Sequence, residues 1–312
     1  MNGINLTELN LNSANSANIA NWNQQYSEYE SESEPEFYSQ RQRKKKVKIK
    51  KLKKHFSQLF RLYSYLTDII NSDDRIESFN SSFNFPWKKS VILTEIDSND
   101  KNTAASNHRE KIVKLQQNHH ENIIIYSDGF KLSEDKIGAG SFISYSLHKQ
   151  QAYSWKLSSK IEVFDSELFA MLKALQQAKQ NLNSTVKNIW IFSDNQAAIQ
   201  RIQKNSNSSG QEISYKIQQE AEQLLSSNIQ LHICWVPGHM GIYGNEQADL
   251  AAKIAAAADT SDKNVINCSN EIGVSLTFLR KLVKKLLLNS WYNYYNSASK
   301  RAYYQNLNIQ PV

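Results

Sequence analysis

Two runs of consecutive apolar residues, each closely followed by an aspartate, constrain the fold of this chain more than any other feature. The runs are Ile123–Tyr126, shortly before Asp128, and Ile189–Phe192, shortly before Asp194. Runs of this kind are typical of strands buried on both faces, as in a parallel sheet covered by helices. We therefore expect an α/β fold in which Asp128 and Asp194 lie at the carboxyl ends of neighbouring strands, where such sheets bind ligands.

Two further acidic residues lie at junctions between predicted elements. Glu167 begins a segment with apolar residues at helical spacing, and Asp249 lies in the first turns of a predicted helix, 244–258. That helix follows a strand, 229–236, and a glycine-punctuated loop that contains His239. A single Asp near a helix start is usually a cap or a partner of the helix dipole. Four acids at element junctions are harder to explain in that way.

The order of the predicted elements indicates a mixed sheet. They are strands 122–128, 137–146 and 151–157, helix 166–180, strand 188–193, helices 195–204 and 211–227, strand 229–236 and helix 244–258. Antiparallel strands followed by alternating helices and strands predict a five-stranded mixed sheet with helices on both faces. Gly138-Ala139-Gly140 lacks the third glycine and the following helix of a phosphate loop, and we interpret it as close strand packing.

Four separated motifs, in this order along the chain, resemble those of the type 1 ribonuclease H domain. They are YSDG, DSELFAMLKAL, FSDNQAAI and WVPGHMGIYGNEQADLAAK, and they span roughly 121–258, under half of the chain. The resemblance is closest to the version at the C-terminal end of non-LTR retrotransposon polyproteins, and it implies a ribonuclease H-like fold. The positions that match the family's catalytic acids, and its mobile-loop histidine, are Asp128, Glu167, Asp194 and Asp249, and His239.

The resemblance implies endonucleolytic hydrolysis of the RNA strand of RNA–DNA hybrids, with two Mg²⁺ ions, or Mn²⁺ instead, held by the four acids. Phosphodiester hydrolysis needs an activated water and a stabilised leaving alkoxide, and two ions about 4 Å apart supply both. Carboxylates suit Mg²⁺, whereas crowded carboxylates without cations repel each other by on the order of 1–4 kcal/mol per contact. The interpretation requires that all four acids point into one pocket and that no Lys or Arg holds any of them.

In the family's mechanism Asp128 bridges both ions, and the histidine on the loop moves protons or aids product release. The resemblance places His239 at the position of this loop histidine. The alternative is that His239 is an ordinary exposed loop residue. Gln196 and Asn245 are candidates either for supporting the acids or for contacting the nucleic acid. Glu167 is a candidate contact to the ribose 2′-hydroxyl, the group that distinguishes RNA from DNA.

The chain also departs from the family pattern. Phe130 replaces a small residue after the first Asp-Gly, and Phe164 replaces an amide that contacts nucleic acid in many cellular members. The interval between Asp194 and His239 has room for two helices but not for the basic handle of some bacterial members. Our hypothesis is that the basic run 41–54, which includes Lys44, Lys45 and Lys46, binds the hybrid instead.

Charge is concentrated in that run. The chain has a net charge of +7, ten basic side chains lie in 41–54, and the rest therefore carries −3. A nuclear-localisation signal, a nucleic-acid-binding arm and a solvated charged segment all fit such a run. The two cysteines fit a reducing compartment, and the polar N-terminus resembles no signal peptide. We expect an intracellular protein, nuclear or cytoplasmic, that has no membrane partner.

The resulting domain plan has five parts. They are a disordered polar and acidic tail (1–40), a basic run and helix (41–71), a linker (72–120), the ribonuclease H domain (121–258) and a C-terminal helical tail (259–312). The tail helix either docks on the core or, through its interleaved cations, contacts nucleic acid.

Two alternatives to an active nuclease stay open. One is a catalytically inactive hybrid-binding remnant of a retrotransposon polyprotein, which Phe130 and Phe164 would fit. The other is a DDE-type transposase or integrase, against which the WVPGH and GNEQAD motifs and the position of Asp249 argue.

Overall fold

A computed structural model describes residues 70, 74–77, 90–204, 208–259 and 262–296. The chain divides into two compact units, Met1–Asp74 and Arg75–Val312, and every element below belongs to the second. The predicted acidic tail, the basic run with Lys44, Lys45 and Lys46, and nearly all of the helix expected before residue 71 lie outside the described residues.

The described residues form seven strands and six helices. The strands are β1 (Leu93–Glu95), β2 (Asn122–Ser133), β3 (Lys136–Ser144), β4 (Gln150–Leu157), β5 (Asn188–Ser193), β6 (Gln230–Trp235) and β7 (Ile266–Asn267). The helices are α1 (Lys101–Gln117), α2 (Val163–Gln180), α3 (Gln196–Gln203), α4 (Gln211–Ser226), α5 (Tyr243–Ala257) and α6 (Leu276–Asn296). None of these helices combines the length and the apolarity that crossing a membrane requires.

The sheet has the order β1-β6-β5-β2-β3-β4-β7. Strands β1, β6, β5 and β2 are parallel, β3 and β4 follow as an antiparallel meander, and β7 adds to β4 in parallel. The predicted α/β class and mixed sheet are confirmed, and the five predicted strands form its centre. The edge strands β1 and β7 were missed because two or three residues are too few for an alternating pattern to be visible.

Alternate residues of the central strands enter two separate cores. Ile123 and Ile125 of β2 pack with apolar residues of α2, α3 and α4. Ile124 and Tyr126 face the opposite way and pack with residues from the side of the sheet that α1 and α5 cover. Burial on both faces is what the uninterrupted apolar runs predict, because no alternate position of such a strand meets water.

The predicted linker 72–120 needs correction, because it contains β1 and the 17-residue helix α1. Asp100 caps this helix by accepting hydrogen bonds from the backbone N–H groups of Asn102 at 2.9 Å and Thr103 at 3.2 Å. Only a narrow face is buried, and it is made of Ala104, Ala105 and His108. Two alanines and a histidine give almost no hydrophobic periodicity, so the sequence pattern did not reveal the helix.

Gly138 and Gly140 also serve a different purpose from the close strand packing that we expected. A Cβ atom on either glycine would collide with the backbone of α5 near Ala252. The glycines therefore let a helix lie unusually close to β3, rather than one strand to another. This approach fixes the position of α5, which carries Asp249.

Candidate active site

The sheet opens between β2 and β5 at the point where the first two acids lie. Their pairing stops at Tyr126 and Phe192, while β2 continues along β3 as far as Ser133. Asp128 therefore lies within a strand rather than at its end, which corrects the predicted boundary. Asp194 directly follows β5. The two carboxylates flank the opening because the shared ladder has ended just before them.

Glu167 enters this opening from α2. The helix begins at Val163, three residues earlier than predicted, behind a capping box in which Glu162 N–H donates to Asp165 Oδ2 at 3.1 Å. Glu167 thus lies in the second turn. A Cβ on Gly129 would lie 2.6 Å from the Glu167 backbone nitrogen, so only glycine after Asp128 allows α2 to pass this close.

Three of the predicted acids converge. Asp128, Glu167 and Asp194 each offer a carboxylate oxygen, and these oxygens lie within 4.8 Å of one another. Glu167 is 4 % exposed. Its Oε2 atom is buried and has no hydrogen-bond partner in the described part of the chain. A buried carboxylate oxygen without a partner is costly, so this geometry is typical of a site that awaits a cation.

The electrostatics of the cluster agree with its geometry. Burial, and then the charges of Asp194 and Asp249, raise the pKa of Asp128 to about 7. Burial and the neighbouring Asp128 and Asp194 raise the pKa of Glu167 well above its usual range. Burial also raises the pKa of Asp194. Bringing these carboxyls together without a cation therefore favours retention of protons near neutral pH.

Asp249 is close enough to raise the pKa of Asp128, but it lies outside the group of three. Its Oδ2 accepts a hydrogen bond from Lys253 Nζ at 2.6 Å, one helical turn later. This ion pair differs from our expectation that no Lys or Arg holds any of the acids. The Lys253 side chain is 46 % exposed, and surface pairs of this kind stabilise by only about 0–1 kcal/mol. The Asp249 side chain is less exposed, at 16 %.

The loop after β6 brings His239 beside Asp194. A Cβ on Gly238 would collide with Asp194 Oδ2, so a glycine lets the loop lie against this carboxylate. His239 is exposed and has a left-handed backbone with φ of +60°. Its charge lowers the pKa of Asp194, opposing the effect of burial. A pocket of about 430 Å³ lies here, lined by Lys101, Asp194, Asn195, Gln196, Trp235, Gly238 and His239.

The two predicted nucleic-acid contacts differ in exposure. Gln196 is exposed in the pocket that also contains His239. Asn245 is only 3 % exposed, and its side chain hydrogen-bonds to Asp194. The structure therefore places Asn245 as a support of the Asp194 carboxylate, and its contact with nucleic acid stays a prediction.

Sequence reasoning missed Asn195 and Trp235. Asn195 caps α3 by accepting a hydrogen bond from Ala198 N–H at 3.0 Å, and its side chain also hydrogen-bonds to Glu167. Trp235 Nε1 donates to the backbone oxygen of Asp194 at 3.0 Å. The preference for Asn at helix N-caps could have identified the first. No sequence signal pointed to the second.

Residues 120–257 match the family model of RNase H. Similar solved structures include RNase H1 from the halophilic archaeon Halobacterium salinarum (19 % identity, TM-score 0.33, covering 43 % of this chain and 96 % of that one). The N-terminal RNase H domain of a Mycobacterium tuberculosis protein, solved as a fusion with maltose-binding protein, is 15 % identical (TM-score 0.33, 44 % and 96 %). LC11-RNase H1, isolated from compost by a metagenomic approach, is 17 % identical (TM-score 0.36, 44 % and 96 %). The match to the RNase H family model covers less than half of the chain.

Proposed function

We propose that this protein hydrolyses the RNA strand of RNA–DNA hybrids in a reaction that depends on two divalent metal ions. The proposal is supported by the RNase H family match over residues 120–257. The observation that carries it is the unpartnered, buried Oε2 of Glu167 within reach of two further carboxylates. The four motifs further support an origin in a non-LTR retrotransposon polyprotein.

The donor set fits a hard divalent cation. Asp128, Glu167 and Asp194 offer only oxygen atoms, which are the ligands that Mg²⁺ prefers and that Mn²⁺ accepts. These three residues would hold one ion, and Asp249, with Asp128, would hold the second. When bound, the ions supply an activated water and stabilise the charge on the leaving oxygen.

The other side chains of the site position the acids and move protons. Asn195 and Trp235 hold the Asp194 segment from two sides, and the buried Asn245 orients its carboxylate. His239 is exposed on the loop beside that carboxylate. We infer that it gives a proton to the leaving oxygen, since it is exposed on the loop while the four acids are buried or only partly exposed. The Glu167 carboxylate recognises the ribose 2′-hydroxyl or its water, which would select RNA.

A cleavage assay tests the proposal directly. An end-labelled RNA–DNA hybrid, duplex DNA and duplex RNA of one sequence are each incubated with the full-length protein and Mg²⁺. We expect cleavage of the RNA strand in the hybrid only, with 5′-phosphate and 3′-hydroxyl ends. Asp128→Asn should abolish it, whereas the matched change Asp135→Asn, at an exposed turn, should have no effect. Cleavage of duplex DNA, or an active Asp128→Asn variant, would contradict the proposal.

One observation favours an inactive hybrid-binding module as the second candidate. Lys253 holds Asp249 and also lies 5.5 Å from the ring centre of Phe130, a residue at which the chain departs from the family pattern. If this arrangement persists in solution with Mg²⁺, the second ion would be excluded. The same assay separates the candidates, because such a module would bind the hybrid without cutting it.

A further inference from the structure

The helix α6 is strongly basic and begins beside the RNase H domain. It carries Arg280, Lys281, Lys284 and Lys285, and no acidic residue lies anywhere in 276–296. All four cationic side chains belong to exposed residues. Within the part of the chain that the structure describes, Arg280, Lys284 and Lys285 form no ion pair, so most of this charge is not neutralised.

The start of α6 is fixed at the junction between α3 and α4. The Thr277 N–H and hydroxyl lie 3.0 Å and 2.6 Å from the Ser209 hydroxyl. Glu77, which is 6 % exposed, accepts from the N–H groups of Leu276 at 3.3 Å and Glu212 at 3.4 Å. One buried carboxylate thus holds the first turns of both helices. The first turn of α6 therefore lies beside the first turn of α4.

A charged contact connects α6 with the elements that carry the acids. Lys281 Nζ lies 2.6 Å from Glu162 Oε2, at the start of α2, and Lys131 of β2 lies 3.6 Å from the same oxygen. Glu162 precedes Glu167 by five residues, which is about 8 Å along a helix. Lys131 follows Asp128 by three residues, which is about 10 Å along a strand. The basic residues of α6 therefore begin close to the proposed active site.

We propose that the cationic face of α6, formed by Arg280, Lys281, Lys284 and Lys285, binds the phosphate backbone of the RNA–DNA hybrid beside the cleaved position. The proposal rests on the proposed function, which supplies the identity of the partner. Lys284 and Lys285 follow Lys281 at spacings of three and four, so they lie on the side of the helix that approaches Glu162. At about 3.4 Å of rise per nucleotide, a strand held at the acids reaches this face after roughly two to four nucleotides.

The test measures hybrid affinity against salt concentration for the full-length protein. A fluorescein-labelled hybrid is titrated in EDTA, so that cleavage cannot interfere, at several concentrations between about 50 and 300 mM KCl. Each lost phosphate contact should reduce the slope of log affinity against log salt by about 0.9. For Arg280→Gln/Lys284→Gln/Lys285→Gln we expect a slope smaller by about 2–3 and roughly tenfold or more weaker binding at about 100 mM. Lys284→Arg/Lys285→Arg, which keeps the charge, should bind like the wild type.

A matched variant controls for net charge. Lys114→Gln/Lys136→Gln/Lys263→Gln removes three exposed cations elsewhere in the described structure and should change the slope much less. An equal effect of both triple variants would overturn the proposal, and so would unchanged binding by the α6 variant. If the wild type binds the hybrid but does not cut it, the proposed nuclease activity fails while the α6 proposal stands or falls on the slopes.

Discussion

Replacing Asp128 with Asn should stabilise the metal-free protein while it removes the activity. Burial and neighbouring carboxylates raise the pKa of Asp128 from 3.8 to about 7. Because a tenfold change in proton affinity corresponds to about 1.4 kcal/mol, the ionised carboxylate lowers the free energy of unfolding by about 2–4 kcal/mol at pH 8. The lower part of this range allows for the partial exposure of the side chain.

The pH dependence of the unfolding free energy reveals the sign of this effect. The folded state binds the Asp128 proton more tightly than the unfolded state does, so wild-type stability declines as the pH rises from about 4 to 7. The amide that Asp128→Asn introduces cannot ionise, so the variant does not share in this decline. The variant should therefore match the wild type near pH 4, exceed it by about 2–4 kcal/mol at pH 8, and change little between pH 8 and 9.

Urea unfolding in EDTA at about pH 4.5, 6 and 8 measures this difference, with Asp135→Asn as the control for a surface Asp. At pH 8 we expect added Mg²⁺ to stabilise the wild type more than the Asp128→Asn protein, because binding to the folded state alone shifts the equilibrium. A variant that is no more stable than the wild type at pH 8 without metal would refute the reasoning, since the carboxylates would then not repel each other.

Three further predictions concern particular contacts and segments. Gly129→Ala places a Cβ 2.6 Å from the Glu167 nitrogen, so we expect a loss of about 1–3 kcal/mol in unfolding free energy and a large loss of hybrid cleavage; a fully active variant would show that α2 can retreat freely. Burial lowers the pKa of His108 from 6.5 to about 4, so between these values the unfolded state takes up the proton and stability falls with falling pH, by about 2–3 kcal/mol. His108→Gln should lack this contribution in urea unfolding at about pH 7 and 4.5, and identical pH profiles would contradict it. Deleting 41–54 should weaken hybrid binding and flatten its salt dependence, which the same titration measures; unchanged affinity and slope would remove this run from the binding surface.

The positions of Asp128 and Asp194 could be predicted from the sequence alone, because each follows an apolar run that must form a buried strand. Runs such as Ile123–Tyr126 are buried on both faces, and the two aspartates follow these runs just beyond the point where the ladder between β2 and β5 ends. The motifs then identified Glu167 and Asp249 by resemblance. The pairing of Asp249 with Lys253 has the four-residue spacing at which such pairs form on a helix, but the sequence analysis did not consider it.

Features that depend on small or distant contacts also escaped the sequence analysis. The α1 helix buries mainly alanines and one histidine, so its pattern resembles that of a polar linker. The support of Asp194 by Asn245 connects residues 51 positions apart in the sequence. Such side-chain contacts depend on the packing of α5 over β3, which the two glycines allow and which no local propensity encodes.

The double cap made by Glu77 changes what should be regarded as the minimal protein. The matched region ends at Ala257, yet this carboxylate, from a segment that precedes the region, joins α4 within it to α6 beyond it. The α1 helix makes a second contact of this kind with the matched region, since His108 Nε2 lies 2.9 Å from the Tyr126 hydroxyl of β2. A fragment cut at the family boundaries would lack α6 and would leave the start of α4 and this tyrosine without their partners. The shortest fragment worth expressing therefore begins at Arg75 and extends through α6.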